Sequence, residues 1–272
     1  MTLPVIGACL MIEDLETYRD WLIERQRDLE LQSFHDSAVL DGDWQALVDR
    51  ARALLDGHTG RLGIHGPFMG LNIGSSDPAV QAVVARRMDQ ALDICAALGA
   101  TQMVIHSPYT PWDHANMDNF PRGRERIVEC AHASIGGAVR RAADQGVTLV
   151  LENIQDVDPM ERLRLVDSFG SEALQLSVDV GHSNCLHFSE NAPPADYFIS
   201  AAGNRLHHVH LQDTDGYADR HWALGEGTIR WPAIFRALEG LTSAPRLVLE
   251  LRDKAGIPAS IRLLTDLGLI EG

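Results

Sequence analysis

Short apolar runs alternate with amphipathic segments along the whole chain. The runs are rich in Val, Ile and Leu, and their length is typical of buried β-strands. Eight of them occur, at residues 5–10, 29–34, 62–68, 103–106, 148–153, 174–179, 206–211 and 247–251. Amphipathic segments separate these runs and there are no repeated hairpin turn signals, so the pattern indicates parallel strands with helical crossovers.

The segment after Asp77 carries the clearest helical signal. Asp77 is a suitable N-cap, Pro78 falls at the first helical position, and Gly99 can end the helix. Between them the apolar residues repeat at helical spacing: Val84, Met88, Ala91, Cys95 and Leu98. Similar helical patterns begin near Asp14 and cover residues 124–145. Eight strands with helical crossovers predict an α/β fold, a (β/α)8 TIM barrel.

The length of 272 residues suits one such barrel, which commonly takes about 250 residues. We therefore expect residues 1–272 to form a single domain. The longest irregular segment, 107–122, follows the fourth strand and contains three prolines and three aromatic residues. On a barrel this segment would lie on the active face, as a lid or substrate wall, although a plain surface loop is equally compatible with the pattern.

Composition limits the partners of the protein. The formal charge is −15, and Lys254 is the only lysine. Such a surface repels phosphate backbones, so a nucleic acid is a disfavoured partner unless metal ions reverse the local charge. The first residues carry no basic segment, and no apolar stretch is long enough for a membrane span, so we expect a cytoplasmic protein without a membrane partner. The four scattered cysteines are expected to be buried reduced thiols.

Imidazoles and carboxylates close six consecutive strands. In a barrel, functional side chains come from these strand ends and the loops that follow. The strand-end residues are His65, His106, Glu152, Asp179 with the nearby His182, His208 with His210, and Glu250. Side chains alternate along a strand, so Val104 with His106, and Val150 with Glu152, would share an inward face.

Each of these residues alone is compatible with an ordinary core or surface role. Together, several carboxylates buried at one barrel mouth would repel one another unless a cation lay among them. Mixed His and Asp/Glu ligands without cysteine suit Zn²⁺ first, and also Mn²⁺, Fe²⁺ or Co²⁺. The sequence therefore predicts a divalent metal site at the barrel mouth.

At these positions the chain resembles the xylose isomerase-like TIM-barrel superfamily, which includes sugar isomerases and epimerases as well as endonuclease IV. The resemblance to the isomerase branch implies one metal held by Glu152, Asp179, His210 and Glu250, with the two glutamates moving protons. The resemblance to endonuclease IV implies nine ligands for three zinc ions. The matching residues are His65, His106, Glu152, Asp179, His182, His210, Asp219, His221 and Glu250.

The string Asp219-Arg-His-x-x-Leu-Gly-Glu-Gly227 is the most specific part of this resemblance. The resemblance implies that Glu152 bridges metals and that Glu250 holds or orients the attacking water. Glu152, Glu250 and His182 are the candidate catalytic residues. Two or three ions about 3.5 to 4 Å apart can stabilise both oxygens of a phosphoester displacement and activate water.

Four residues are candidate substrate contacts. Phe68, or Met69 beside it, could act as a wedge of the kind that endonuclease IV inserts into DNA, although a pocket wall is the more common role for such an aromatic. Trp112 and His114 lie in segment 107–122. Arg220 could bind phosphate as a fork, or form an exposed ion pair. Glu226 could orient a ligand or shape its turn, and His208 could lie beneath the metals or in the core.

We predict a metal-dependent enzyme with two or three ions that hydrolyses a small phosphodiester or sugar phosphate. The alternative is a sugar or sugar-phosphate isomerase or epimerase with one metal and the Glu152/Glu250 pair. An abasic-site DNA endonuclease is a minor alternative, and a barrel that holds metal without turnover is a further hypothesis. The sequence leaves a homo-oligomer open.

Overall fold

The computed structural model describes residues 3–271, in which eight parallel strands form a closed barrel in sequence order. Met1, Thr2 and Gly272, at the ends of the predicted domain, lie outside the described residues. The strands are β1 Gly7–Leu10, β2 Leu29–Leu31, β3 Leu62–His65, β4 Gln102–His106, β5 Thr148–Glu152, β6 Leu174–Asp179, β7 Leu206–Leu211 and β8 Arg246–Leu249. The predicted (β/α)8 barrel is confirmed.

Helices surround the barrel. The α-helices are α1 Leu15–Glu24, α2 Ser37–Asp41, α3 Trp44–Leu54, α4 Pro78–Leu98, α5 Pro111–Asn116, α6 Gly123–Gln145, α7 Pro159–Ser168, α8 Val180–Glu190, α9 Ala195–Ala202, α10 Trp231–Glu239 and α11 Ile257–Asp266. Short 3-10 helices cover Ile12–Asp14, Met117–Asn119, Gly203–Arg205 and Lys254–Gly256. None of the helices within residues 3–271 combines the length and apolarity needed to cross a membrane.

Alternation along the strands separates two buried layers. Leu149 and Leu151 on β5 belong to the main apolar cluster shared with the helices, whereas Val150 is equally buried outside that cluster. Because side chains alternate across a strand, Val150 and Glu152 face the barrel interior. This alternation directs the last side chain of β5 towards the barrel mouth.

The capping signals of α4 are confirmed. The Asp77 carboxylate accepts a hydrogen bond from the Ala79 amide, and Pro78 is the first residue of the helix. Gly99 has φ +73°, a left-handed conformation that glycine adopts without the steric cost of a Cβ. The predicted helices near Asp14 and over residues 124–145 correspond to α1 and α6.

Four local predictions needed correction. Strand β2 ends at Leu31 instead of residue 34. Strand β3 ends at His65 instead of residue 68, because Gly66 and Pro67 follow and proline has no N–H for the ladder. The segment 107–122 is not wholly irregular: Thr110 and Asp113 form a capping box that starts α5. All four cysteines are free, but only Cys9 and Cys95 are buried, while Cys130 and Cys185 are partly exposed on helices.

Candidate metal centre

The nine residues predicted as ligands meet at the carboxyl end of the barrel. Five of them lie at or next to the ends of strands β3 to β7, and Glu250 directly follows β8. His182 lies in the first turn of α8, where its amide donates to Asp179 Oδ1 at 2.7 Å. Asp219 and His221 lie in the segment between β7 and α10. The nine fall into three groups, in each of which the ligand atoms lie within 4.8 Å of one another.

The first group consists of His65, His106 and Glu152. The Nε2 atoms of His65 and His106 lie 3.7 and 3.4 Å from Glu152 Oε2. That oxygen is buried and has no hydrogen-bond partner. A buried carboxylate oxygen facing two imidazole nitrogens is suited to share a cation with them.

The second group consists of Glu152, Asp179, His210 and Glu250, all buried. His210 Nδ1 lies 2.8 Å from Glu152 Oε1, 3.3 Å from Glu250 Oε2 and 3.9 Å from Asp179 Oδ2. Glu250 Oε2 is a second buried carboxylate oxygen without a hydrogen-bond partner. Glu152 belongs to both groups, which is the arrangement that a bridging carboxylate requires.

The third group consists of His182, Asp219 and His221. The two oxygens of Asp219 lie 3.4 Å from His182 Nε2 and 3.0 Å from His221 Nε2. This group is the most exposed of the three, since the Asp219 side chain is 47% accessible.

Backbone carbonyls orient three of the imidazoles. The Nδ1 atoms of His65, His182 and His221 each lie 2.9 Å from a backbone oxygen, that of Gly66, Asn153 and Glu250 respectively. A carbonyl only accepts, so Nδ1 carries a proton, and Nε2 is the nitrogen that faces the neighbouring carboxylate and is left to bind a cation placed between them. Metal-binding histidines are held in this way, and the donor set therefore fits divalent cations.

The electrostatics of the groups also fit cations. Burial, together with the charges of Glu250 and Glu152, raises the pKa of Asp179 to about 6. Burial lowers the pKa of His106 to about 3, so its ring is neutral and offers a lone pair at neutral pH. Burial also acts to lower the pKa of His221, but its contact with Asp219 and the charge of Glu250 outweigh burial and raise it to about 9. A cation would replace the protons that these crowded groups otherwise need.

Asp213 fixes the segment that carries Asp219 and His221. Its side chain is fully buried and accepts hydrogen bonds from the amides of Thr214, Gly225 and Ile229 and from Trp231 Nε1, at 2.8 to 3.2 Å. One of these donors is the Gly225 amide, so Asp213 holds the Leu-Gly-Glu-Gly segment, residues 224–227, in place. Glu226 accepts from the Ala223 amide, which agrees with a role in shaping the turn.

Gln212 connects this segment to the barrel. Its Nε2 donates to Asp219 Oδ1 at 2.8 Å, and its Oε1 accepts from the His221 amide at 2.9 Å. His221 has φ +51°, an unfavourable conformation for a residue with a Cβ, so the segment needs such support. Gly181 in α8 allows the approach, because a Cβ there would lie 2.3 Å from Gln212 Cδ.

We expect Gly181→Ala to destabilise the protein by about 1–3 kcal/mol, since the new methyl group displaces Gln212 from its buried hydrogen bonds. Gly137→Ala is the matched control, because that helical glycine is exposed and its Cβ would meet no atom closer than 4.0 Å. The control should gain about 0.4–1 kcal/mol. Urea unfolding in the presence of a chelator measures both, and equal stability of the two variants would contradict the role assigned to Gln212.

Several residues of the site were missed by the sequence interpretation, among them three polar ones. Glu30 on β2 is buried against His208 and His210, Gln32 Nε2 donates to Glu250 Oε1, and His35 lines the same cavity. The signal for Glu30 was a charged residue between Leu29 and Leu31 in an otherwise apolar strand. His208, whose position was left open, is buried beneath the centre, with Nδ1 2.9 Å from Ser177 Oγ.

The donor groups line a cavity of about 440 Å³. Met11, Phe68 and Ile154 form its apolar wall, and within residues 3–271 no lysine or arginine lines it. Phe68 lies between two imidazoles, with ring centroids 4.3 Å from His106 and 5.2 Å from His35. Phe68 therefore supports His106 and takes the position of a pocket wall.

The structure does not bring the other candidate substrate contacts to this cavity. Trp112 is 72% exposed and lines a neighbouring groove, and His114 is exposed on α5. Arg220 forms an ion pair with Asp215 at 2.9 Å, and its guanidinium lies over Trp222. Trp112 and His114 point outward because they lie on α5, which the capping box starts. The guanidinium of Arg220 is already bound by the Asp215 carboxylate.

Two sequence comparisons identify relatives. The chain is 26% identical over 184 residues to the uncharacterized protein MJ1311 of Methanocaldococcus jannaschii, covering 65% of this chain and 59% of that protein. It is 25% identical over 181 residues to a probable endonuclease 4 of Mycobacterium leprae, covering 61% and 64%. The aligned part thus spans less than two thirds of the length of each of these relatives.

Solved structures superpose on nearly the whole chain, and a known protein family matches most of it. The TTHB071 protein from Thermus thermophilus, soaked with ZnCl2, superposes with TM-score 0.72 at 28% identity, covering 96% of this chain and 97% of that one. A D-tagatose 3-epimerase-like protein superposes with TM-score 0.76 at 20% identity, covering 97% and 98%, which shows the shared fold. Residues 27–267 match the family described as xylose isomerase-like TIM barrel. The chain therefore belongs to the xylose isomerase-like TIM-barrel family.

Proposed function

We propose that this protein is a metal-dependent phosphoester hydrolase that uses two or three divalent ions. The arrangement of the nine donors in three groups, two of which share Glu152, carries this proposal. A one-metal enzyme needs only the second group, and five donors lie outside it: His65, His106, His182, Asp219 and His221. The similarity to a probable endonuclease 4 supports phosphoester chemistry.

Each residue has a role in this proposal. Glu152 belongs to both the first and the second group and would be their shared ligand, and Glu250, whose Oε2 has no hydrogen-bond partner, would orient the attacking water. His182, whose Nδ1 is held by the backbone oxygen of Asn153, would hold an ion of the third group together with Asp219 and His221. Two or three bound ions supply charge stabilisation to the phosphoryl oxygens and a nucleophile near neutral pH. Nitrogen and oxygen donors without thiolate suit Zn²⁺ first, then Mn²⁺, Fe²⁺ or Co²⁺.

The cavity favours a small substrate. No arginine or lysine within residues 3–271 lines it, so the cations of the centre must balance the substrate's charge. The apolar wall of Met11, Phe68 and Ile154 suits one uncharged arm of a phosphodiester or sugar phosphate. The net charge of −15 opposes binding of a DNA duplex.

A sugar isomerase or epimerase is the second candidate. The observation that favours it is the compact second group, in which Glu152 and Glu250 both lie close to His210 and could exchange protons with adjacent sugar carbons. The similarity to a D-tagatose 3-epimerase-like protein supports this candidate. It requires a single ion and leaves the first and third groups without a catalytic role.

Metal counting and two variants separate the candidates. We expect two or three ions per chain by anomalous scattering, and hydrolysis of bis(p-nitrophenyl) phosphate by protein reloaded with Zn²⁺ or Mn²⁺. His106→Ala in the first group and Asp219→Ala in the third should each lower that rate by about 100-fold or more, since each removes a ligand. Glu161→Gln is the control, because this buried carboxylate pairs with Arg124 and Arg164 on the outer side of the barrel.

The opposite results would favour the isomerase. One ion per chain, conversion of ketoses and full activity of His65→Ala and His221→Ala would contradict the hydrolase proposal. Binding to an abasic duplex that weakens as salt is added would instead support the DNA endonuclease. If the protein shows no turnover in any of these assays, the remaining hypothesis is a barrel that binds metal without catalysis.

A further inference from the structure

A buried carboxylate lies beneath the candidate metal centre. Glu30, on β2, is only 3% exposed and faces the barrel interior, where it meets residues of β1 and β7. Isolated buried charges are costly, so such a carboxylate needs donors around it. It is not one of the nine predicted ligands, and its contacts indicate what it does.

Glu30 contacts side chains of two strands. Both of its oxygens lie 3.2 Å from His210 Nε2, and Oε2 lies 3.1 Å from His208 Nε2. Cys9 Sγ donates to Oε1 at 3.6 Å. A chain of polar contacts thus leads from Ser177 through His208 and Glu30 to His210.

The orientation of His210 is the reverse of that of three other imidazoles in the centre. His65, His182 and His221 are held at Nδ1 by backbone carbonyls and offer Nε2 to the carboxylates. His210 is held at Nε2 by Glu30 and offers Nδ1 to Glu152 and Glu250. A carboxylate only accepts, and His210 faces carboxylates at both nitrogens, so Nδ1 presents a lone pair only where a cation takes the place of its proton, while Glu30 retains the proton on Nε2.

We propose that Glu30 is a positioning residue of the metal centre, which fixes His210 so that Nδ1 is directed into the group formed with Glu152, Asp179 and Glu250. This inference rests on the proposed metal centre and specifies which ion depends on Glu30. A carboxylate behind a ligating imidazole orients the ring and raises its basicity. The ion of the second group is therefore the one that loses affinity when Glu30 is changed.

The test uses metal affinity and the protonation of His210. Glu30→Gln keeps an acceptor oxygen and removes the charge, and Glu30→Leu removes both. Metal-stripped protein is titrated with Zn²⁺ in competition with a chromophoric chelator, and imidazole ¹⁵N–¹H spectra report whether each His210 nitrogen carries a proton. We expect one ion to bind about 10-fold more weakly in Glu30→Gln and about 100-fold more weakly in Glu30→Leu.

The control and the spectra exclude a merely structural role. Glu161→Gln, a buried carboxylate outside the centre, should leave every Zn²⁺ affinity unchanged. In metal-free Glu30→Leu the signal of the His210 Nε2 proton should be lost while the proton on Nδ1, which faces Glu152, is retained, an effect that loss of stability alone does not produce. If Glu30→Leu does not fold, Glu30→Gln carries the test, through its affinity and its spectrum.

The outcomes separate this inference from the proposed function. Wild-type protein that binds no Zn²⁺ would overturn both. Wild-type binding of two or three ions, with unchanged affinity and unchanged His210 protonation in the Glu30 variants, would overturn the positioning role and leave the hydrolase proposal standing.

Discussion

Replacing Glu152 by glutamine is expected to abolish turnover, with a loss of about 1,000-fold or more, which corresponds to about 4 kcal/mol of transition-state stabilisation. Glu152 uses both oxygens: Oε2 faces His65 and His106, and Oε1 contacts His210 Nδ1. Glutamine offers one acceptor oxygen and no charge, so the first and second groups lose their shared ligand together. Steady-state kinetics with a phosphodiester and with ketoses, together with metal analysis of the purified variant, measure the effect.

Several outcomes of this experiment can be distinguished. Glu161→Gln should keep both the metal content and the rate of the wild type, since it lies outside the centre. Loss of a single ion with full remaining activity would contradict the bridging role of Glu152. A Glu152→Gln variant with wild-type metal content and wild-type turnover would contradict the whole assignment of the centre.

Replacing Arg162 by methionine is expected to give the largest loss of stability, about 3–5 kcal/mol. Arg162 lies on α7 with no exposed surface, and Nη1 donates to the backbone oxygens of Leu151, at 2.8 Å, and Ser177. Its Nε lies 3.7 Å from Asp156 Oδ1. Methionine fills a similar volume but leaves the buried Asp156 without its cation and removes the guanidinium donor from two backbone carbonyls. Urea unfolding of metal-stripped protein measures the difference.

The pH dependence of this loss follows from Asp156. Burial already raises the pKa of Asp156 in the folded protein, and removing Arg162 raises it further. A carboxyl group whose folded-state pKa exceeds its unfolded value stabilises the protein at low pH, and this contribution disappears as the pH rises through the folded-state pKa. We therefore expect the deficit of Arg162→Met to be smaller in mildly acidic than in alkaline solution.

A surface arginine provides the control for Arg162. Arg50 is 45% exposed and pairs with Glu13 and Glu16, which are more exposed still. Arg50→Met should cost no more than about 1 kcal/mol, because exposed ion pairs contribute little. A loss in Arg162→Met as small as that in Arg50→Met would show that the buried contacts do not stabilise the fold.

The strand-end donors were predictable because they depend on local periodicity. Val150 and Glu152 are two residues apart on one strand, so burial of one implies the direction of the other. Parallel strands end at the same rim, so six such strand ends had to converge once the barrel was inferred. That convergence predicts that the strand-end donors meet, but not which of them share a group.

Contacts across the barrel interior were not predictable in the same way. Strand β2 pairs with β1 and β3, while β7 pairs with β6 and β8. Glu30 and His210 therefore meet only because the sheet closes on itself. The exposed position of Trp112 likewise depends on how α5 packs, and the sandwich of Phe68 between His35 and His106 depends on two different loops.

The sequence by itself determined the (β/α)8 architecture, the strand ends and the chemical type of the donors, because periodicity and residue type act within a few neighbouring residues. Only the tertiary structure decided which donors share a group, that Glu30 contacts His210, and which aromatic residues reach the cavity. These features arise from closure of the barrel and from loop packing, which join residues 58 to 180 positions apart, as in the contacts of His210 with Glu152 and Glu30.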